Sequence, residues 1–197
     1  MNGKLFSTRA GEERMFRSVL IRSMLVAAGL VTLLPGAAFG DAYHDLLKVQ
    51  AAFKDARSWQ ADEHFSNGRA VTVEYSAPDR WRIQPAPNIT ELVIGSDVYM
   101  LANGHTTKLP LGGGMIRQNL QGAGFSVNQD IRQSARDLGM QSLRGQSVHV
   151  YSYTTEGVPA TIYVGANSLP VQSVVHNKDV TITIEYSKYN EPISIQP

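Results

Sequence analysis

The sequence contains no cysteine. Disulfides are therefore excluded, together with thiolate metal ligands, thiol nucleophiles and the acylated cysteine that anchors a bacterial lipoprotein. A domain built this way is stabilised by core burial alone. Histidine is scattered: His44, His64, His105, His149 and His176 include no i, i+4 pair and no His-Glu-x-x-His motif, so no metal-ligand spacing is present. His149 lies within an alternating strand pattern, which suits a structural role. There is no Gly-x-Ser-x-Gly elbow. Gly112-Gly113-Gly114 lacks the following Gly-Lys-Ser/Thr of a phosphate loop and reads as a flexible hinge. Carboxylates are expected singly, on turns and strand exteriors, which leaves a paired acid/base site unsupported. Asn88-Ile89-Thr90 fits a glycosylation sequon, but beside a bacterial-type export signal it is a chance match. The expectation is a protein that is not an enzyme and uses no cofactor or metal.

Strong charge of either sign is also missing. Of the 18 Lys and Arg, five precede Asp41, as do two of the 17 Asp and Glu. The remaining 13 and 15 leave a net charge near −2 in place of the overall +1. No basic stripe exists to follow a phosphate backbone, which argues against nucleic acid as a partner. No fixed-period repeat, low-complexity tract or interdomain linker is found, so one mature domain is expected.

Residues 1–40 read as a secretory signal. Arg14, Arg17 and Arg22 precede the apolar run 24–34, Pro35 breaks it, and Ala38-Phe39-Gly40 supplies small residues before a cut at Asp41. The run is short for a membrane span, and no second one follows. Met15 opens a signal of more usual length; a retained anchor is the alternative. The expected location is the periplasm, with residues 41–197 as the mature domain.

What the chain does have is strand pattern. Between residues 59 and 109 short segments alternate apolar and polar residues, punctuated by Asn67-Gly68 and Asn103-Gly104, which predicts an antiparallel meander with one apolar face. Residues 41–58 predict an amphipathic helix with Tyr43, Leu46, Leu47, Gln50 and Phe53 on one face. After Leu109 the glycine-punctuated segment 112–138 predicts two short helices, about 115–120 and 128–138, the second ended by Gly139. Strands resume near Gln141, giving nine or ten in all. The fold class is mainly β: a single curved antiparallel sheet forming an unclosed half-barrel, with short helices over its concave face.

Large apolar side chains are abundant enough to line a cavity as well as fill a core. The candidate lining set is Phe65, Val73, Tyr75, Trp81, Ile83, Leu92, Ile94, Tyr99, Leu101, Val150, Ile162 and Ile184. Met115, Ile116 and Leu120 are candidates for a lid over 112–124. Which strand faces point inward is not fixed by sequence, because a one-residue slip reverses every assignment.

The order of an export signal, an amphipathic helix, a Trp59-x-Ala61 strand, Pro78-Asp79-Arg80-Trp81-Arg82-Ile83 and Val93-Ile94-Gly95-Ser96-Asp97-Val98-Tyr99 resembles the periplasmic lipoprotein carriers of the LolA type. The later half, with Gly145-Gln146-Ser147-Val148-His149-Val150-Tyr151, Val158-Pro159-Ala160-Thr161-Ile162-Tyr163 and Leu169-Pro170, is more similar to the mycobacterial LppX/LprG lipid-binding proteins. The resemblance implies an unclosed barrel with a hydrophobic cavity for acyl chains. The expected function is a soluble carrier of lipid or lipoprotein acyl chains, monomeric, served by a transient membrane-protein partner. A sensory or protein-interaction module on the same fold is the alternative. Ala77 stands where the LolA carriers place a basic residue before proline. Cysteine-free, the chain also departs from the mycobacterial relatives, which are themselves lipoproteins.

Overall fold

The computed structural model describes residues 39–110, 125 and 127–197. In chain order the elements are α1 (Phe39–Asp55), β1 (Ser58–Phe65), β2 (Ala70–Ser76), β3 (Arg80–Ala86), β4 (Ile89–Ile94), β5 (Asp97–Ala102), β6 (His105–Leu109), α2 (Gln129–Ser134), β7 (Arg136–Leu143), β8 (Gln146–Thr155), β9 (Val158–Val164), β10 (Pro170–Asn177) and β11 (Val180–Ser187). All eleven strands form one antiparallel sheet in the order β6-β5-β4-β3-β2-β1-β11-β10-β9-β8-β7. The edges β6 and β7 do not pair with each other, so the barrel is not closed. Among the described residues no helix is long and apolar enough to cross a membrane.

Local sequence explains the meander. At the β5–β6 turn Asn103 and Gly104 both take positive φ, 52° and 77°, the pair of angles that a two-residue turn needs and that Asn-Gly tolerates. Register then divides the residues between faces. On β1, Trp59, Ala61 and Glu63 oppose Tyr75, Val73 and Val71 of β2, and Tyr75 and Val73 oppose Trp81 and Ile83 of β3. On the other side Ala61, Glu63 and Phe65 oppose Tyr186, Ile184 and Ile182 of β11. This inner face is the one the helices cover. Phe53 of α1 meets Trp59 and Tyr186 at ring distances of 5.1 and 5.7 Å, while Ala42, Leu46 and Val49 are buried with Tyr151, Ala160 and Ile162 of β8 and β9.

The helices differ from expectation in instructive ways. α1 ends at Asp55 instead of reaching residue 58, because Ser58 belongs to β1 and its hydroxyl donates to the Lys188 and Glu191 carbonyls. Its deeply buried stripe is Ala42, Leu46, Val49 and Phe53, with Tyr43, Leu47 and Gln50 only half-buried. The helix expected over 128–138 is cut to α2, whose Asn128 side chain accepts from the Ile131 amide at 3.0 Å. Gly139 is not a helix stop. It sits at a bulge between Asp137 and Met140 with φ 76°, and its N–H donates to Asp137 Oδ1. Pairing of β7 with β8 overrides the local helical pattern there, which adds a strand to the expected count. The helix expected near 115–120 lies outside the described residues.

The outer face carries the polar positions of β1 to β3, buried apolar residues such as Leu92 and Val150, and a strap from the C-terminal segment. Arg80 donates to the Ile195 carbonyl at 2.8 Å and Arg82 to the Ser194 carbonyl at 2.6 Å. Arg82 also pairs with Glu74 at 2.5 Å, and Ile195 is 1% exposed.

Candidate functional site

The inner face is the candidate site, and its centre is aromatic. Trp59, Tyr75 and Trp81 stand in one cross-strand row, with ring centroids 5.7 and 5.1 Å apart. Their alignment follows from the register of β1, β2 and β3, which brings same-face residues within contact. Phe53 of α1 closes this row from above, and Tyr189 meets Phe53 at 6.2 Å. Val73, Ile83, Val93 and Val98 continue the apolar surface towards β5.

Of the expected lining residues, Phe65, Val73, Tyr75, Trp81, Ile83, Ile162 and Ile184 lie on this face. Leu92, Ile94, Tyr99, Leu101 and Val150 do not: the register places them on the outer face. The reason is visible in the sequence. Leu92-Val93-Ile94 is a continuous apolar run without alternation, and the register with Trp81 turns Val93 inward and its two neighbours outward. On β8 the inward residues are His149, Tyr151 and Tyr153, opposite Val164, Ile162 and Ala160. The alternation of β8 points to Val150 as the apolar lining residue, and the register turns it outward. Met115, Ile116 and Leu120 lie outside the described residues.

Two carboxylates correct the expectation that such groups occupy turns and exteriors. Glu63, on the inner face of β1, is 2% exposed, and its Oε2 is buried without a hydrogen-bond partner. Burial pushes its carboxyl up from 4.5 to about 7, against the pull of Arg69. Glu91, opposite Ile83 on the same face, is pushed up to about 6 by burial. Sequence reasoning missed both, although Glu63 falls in phase with Trp59, Ala61 and Phe65 on an alternating strand, which was the available signal.

A separate polar cluster marks the β8 end. His149 Nε2 lies 2.6 Å from Asp137 Oδ1, and the imidazole stacks on Tyr151 at 4.5 Å. The Tyr151 hydroxyl donates to Asp45 Oδ2 at 3.2 Å. Burial, then the Asp45 charge, raises the Tyr151 phenol well above its usual range. These groups tie α1 to the sheet, giving His149 a structural place. Among the described residues no group of three or more His, Asp and Glu is arranged to hold a metal ion. An open recess of about 410 Å³, lined by Arg57, Ser58, Ser76, Ala77 and residues 190–194, lies away from the inner face, at one end of β1 and β2.

No family model and no curated protein matches the sequence. Solved structures match its fold. The lipoprotein LppX of Mycobacterium tuberculosis is 13% identical, with a TM-score of 0.60 over 79% of this chain and 98% of that one. LprF of Mycobacterium bovis is 14% identical, with a TM-score of 0.55 over 82% of this chain and 99% of that one. At these identities the likeness establishes a shared fold, the one the sequence resemblance implies.

Proposed function

We propose that this chain is an exported, non-catalytic carrier that buries the acyl chains of a lipid or lipoprotein against its inner sheet face. The observation that carries the reading is the extent of that face: apolar and aromatic residues run from Val98 on β5 to Tyr151 on β8, and the 17-residue α1 lies over both clusters they form. The fold shared with LppX, a protein described as a lipoprotein, supports it. No covalent step is required. Each methylene moved from water to such a face contributes about 0.8 kcal/mol, so a long acyl chain outweighs the cost of ordering it.

Lipid extraction and native mass spectrometry of the purified mature domain test this, together with uptake of a fluorescent fatty acid. Co-purifying lipid, or saturable uptake, is the expected result. Absence of both would sink the carrier reading and leave the interaction module. Export belongs to the same proposal, and N-terminal sequencing of the secreted product is expected to begin at Asp41.

A further inference from the structure

Glu63 is out of place on the surface it occupies. It stands on β1, the middle strand of the eleven, between Val71 and Ile184. Ser173, 3% exposed, follows Ile184 in the same row. Tyr186, two residues along β11, holds its phenol beside the Ser173 hydroxyl. These three polar side chains stand close together on the middle strands, in a row otherwise made of Val71, Ile184 and Ile162. Buried polar atoms in folded proteins almost always have partners, and an orphan calls for an explanation.

We infer that Glu63, with Ser173 and Tyr186 beside it, is the polar anchor of the inner face and receives the carbonyl oxygen of an acyl ester or acid. Burial keeps a large share of this carboxyl neutral near pH 7, and a neutral carboxyl has an O–H to donate. A carbonyl oxygen is a neutral acceptor that matches it, whereas a charged headgroup there would itself be desolvated without a counter-charge. The inference rests on the acyl-binding reading and adds the position and chemistry of the ligand's head.

The test compares wild type, Glu63→Gln and Glu63→Leu by fluorescence. The carbonyl-free probe is N-phenyl-1-naphthylamine; methyl palmitate and palmitic acid serve as competitors. Glu63→Leu is expected to bind the naphthylamine within about two-fold of wild type and both competitors about ten-fold more weakly, the value of one hydrogen bond. Glu63→Gln retains an N–H donor and is expected to hold methyl palmitate within about three-fold. Loss confined to palmitic acid would identify a free fatty acid as the source of the carbonyl; loss of both includes ester-linked chains. Unchanged competitor binding in Glu63→Leu, or equal weakening of all three probes, overturns the anchor. A wild-type protein that binds no probe at all overturns the acyl-binding reading itself. Circular dichroism controls for folding, and Glu63→Met replaces the leucine variant if that one does not fold.

Discussion

Tyr151 on β8 donates its hydroxyl to Asp45 on α1 across 3.2 Å, and Lys48 holds the other oxygen of the same carboxylate at 2.7 Å. The first helix is thus fastened by a polar bond at the end where its apolar stripe is Ala42, Leu46 and Val49. The hydrogen bond of Lys48 is the main reason Asp45 stays below the usual carboxylate range.

Replacing Tyr151 with Phe keeps the ring and removes this bond. The expected cost is about 1 kcal/mol, that of a typical net hydrogen bond, read as a lower urea midpoint. Amide exchange in α1 is expected to quicken more than exchange in β1. Equal protection of α1 in both proteins would show that the bond does not hold the helix.

Glu63 gives stability a pH dependence of definite sign. Its folded pKa, about 7, lies above the ordinary 4.5, so the folded state binds the proton more tightly. The stabilisation is complete below about pH 4.5 and is lost as pH rises through about 7, on the order of 3 kcal/mol. Glu91, raised to about 6, acts in the same direction. Denaturation midpoints measured between about pH 5 and 8 are therefore expected to fall with pH in wild type and to fall less in Glu63→Gln. Parallel curves for the two proteins would contradict the burial of this carboxyl.

The chain has two tryptophans, and both Trp59 and Trp81 stand on the inner face, 6% and 3% exposed. Tryptophan emission, excited selectively at about 295 nm, therefore reports on that face alone. Saturating decanoate or palmitate is expected to shift or quench it, and Trp59→Phe and Trp81→Phe should each remove part of the response. Emission indifferent to ligands that other assays show to bind would place them elsewhere.

Ile195 offers a control on the opposite face. Truncation to Ala empties a buried site beside Arg80 and Arg82 and is expected to cost about 2–5 kcal/mol, measured by thermal or urea unfolding. Binding of N-phenyl-1-naphthylamine by the folded protein should stay within about two-fold. A specific loss of binding would mean that the outer face takes part.

Much of the architecture was legible because the meander obeys local rules: Asn103-Gly104 makes its turn, and Trp59, Ala61, Val73, Tyr75, Trp81 and Ile83 alternate cleanly. Legibility failed where two signals competed. Residues 136–143 carry a helix-like spacing ended by glycine, yet β8 offers a pairing partner that no local window contains. Leu92-Val93-Ile94 has no preferred face until a neighbouring strand sets the register, and Val148-His149-Val150 alternates but pairs with β9 so that His149, not the valines, faces inward. Glu63 reads as solvent-facing by its chemistry, and only the assembled sheet shows it enclosed.

The placement of β1 beside β11 has a kinetic side. Every other strand pairing in the sheet joins neighbours in the chain, whereas Ala61 and Tyr186 meet from opposite ends of the mature sequence. Loop closure is costliest for that contact, so the two meanders, β1–β6 and β7–β11, are expected to assemble separately and zip together last. Fasteners stand at both ends of the zip: Ser66 bonds Thr181 at one, and Asn190 reaches the backbone of Arg57 and Ser58 at the other. Pulse-labelled hydrogen exchange during refolding should find the β1–β11 amides protected after those of the β2–β3 and β8–β9 pairs. The middle of this sheet would then be its youngest part, and the natural crease along which the two halves first come apart.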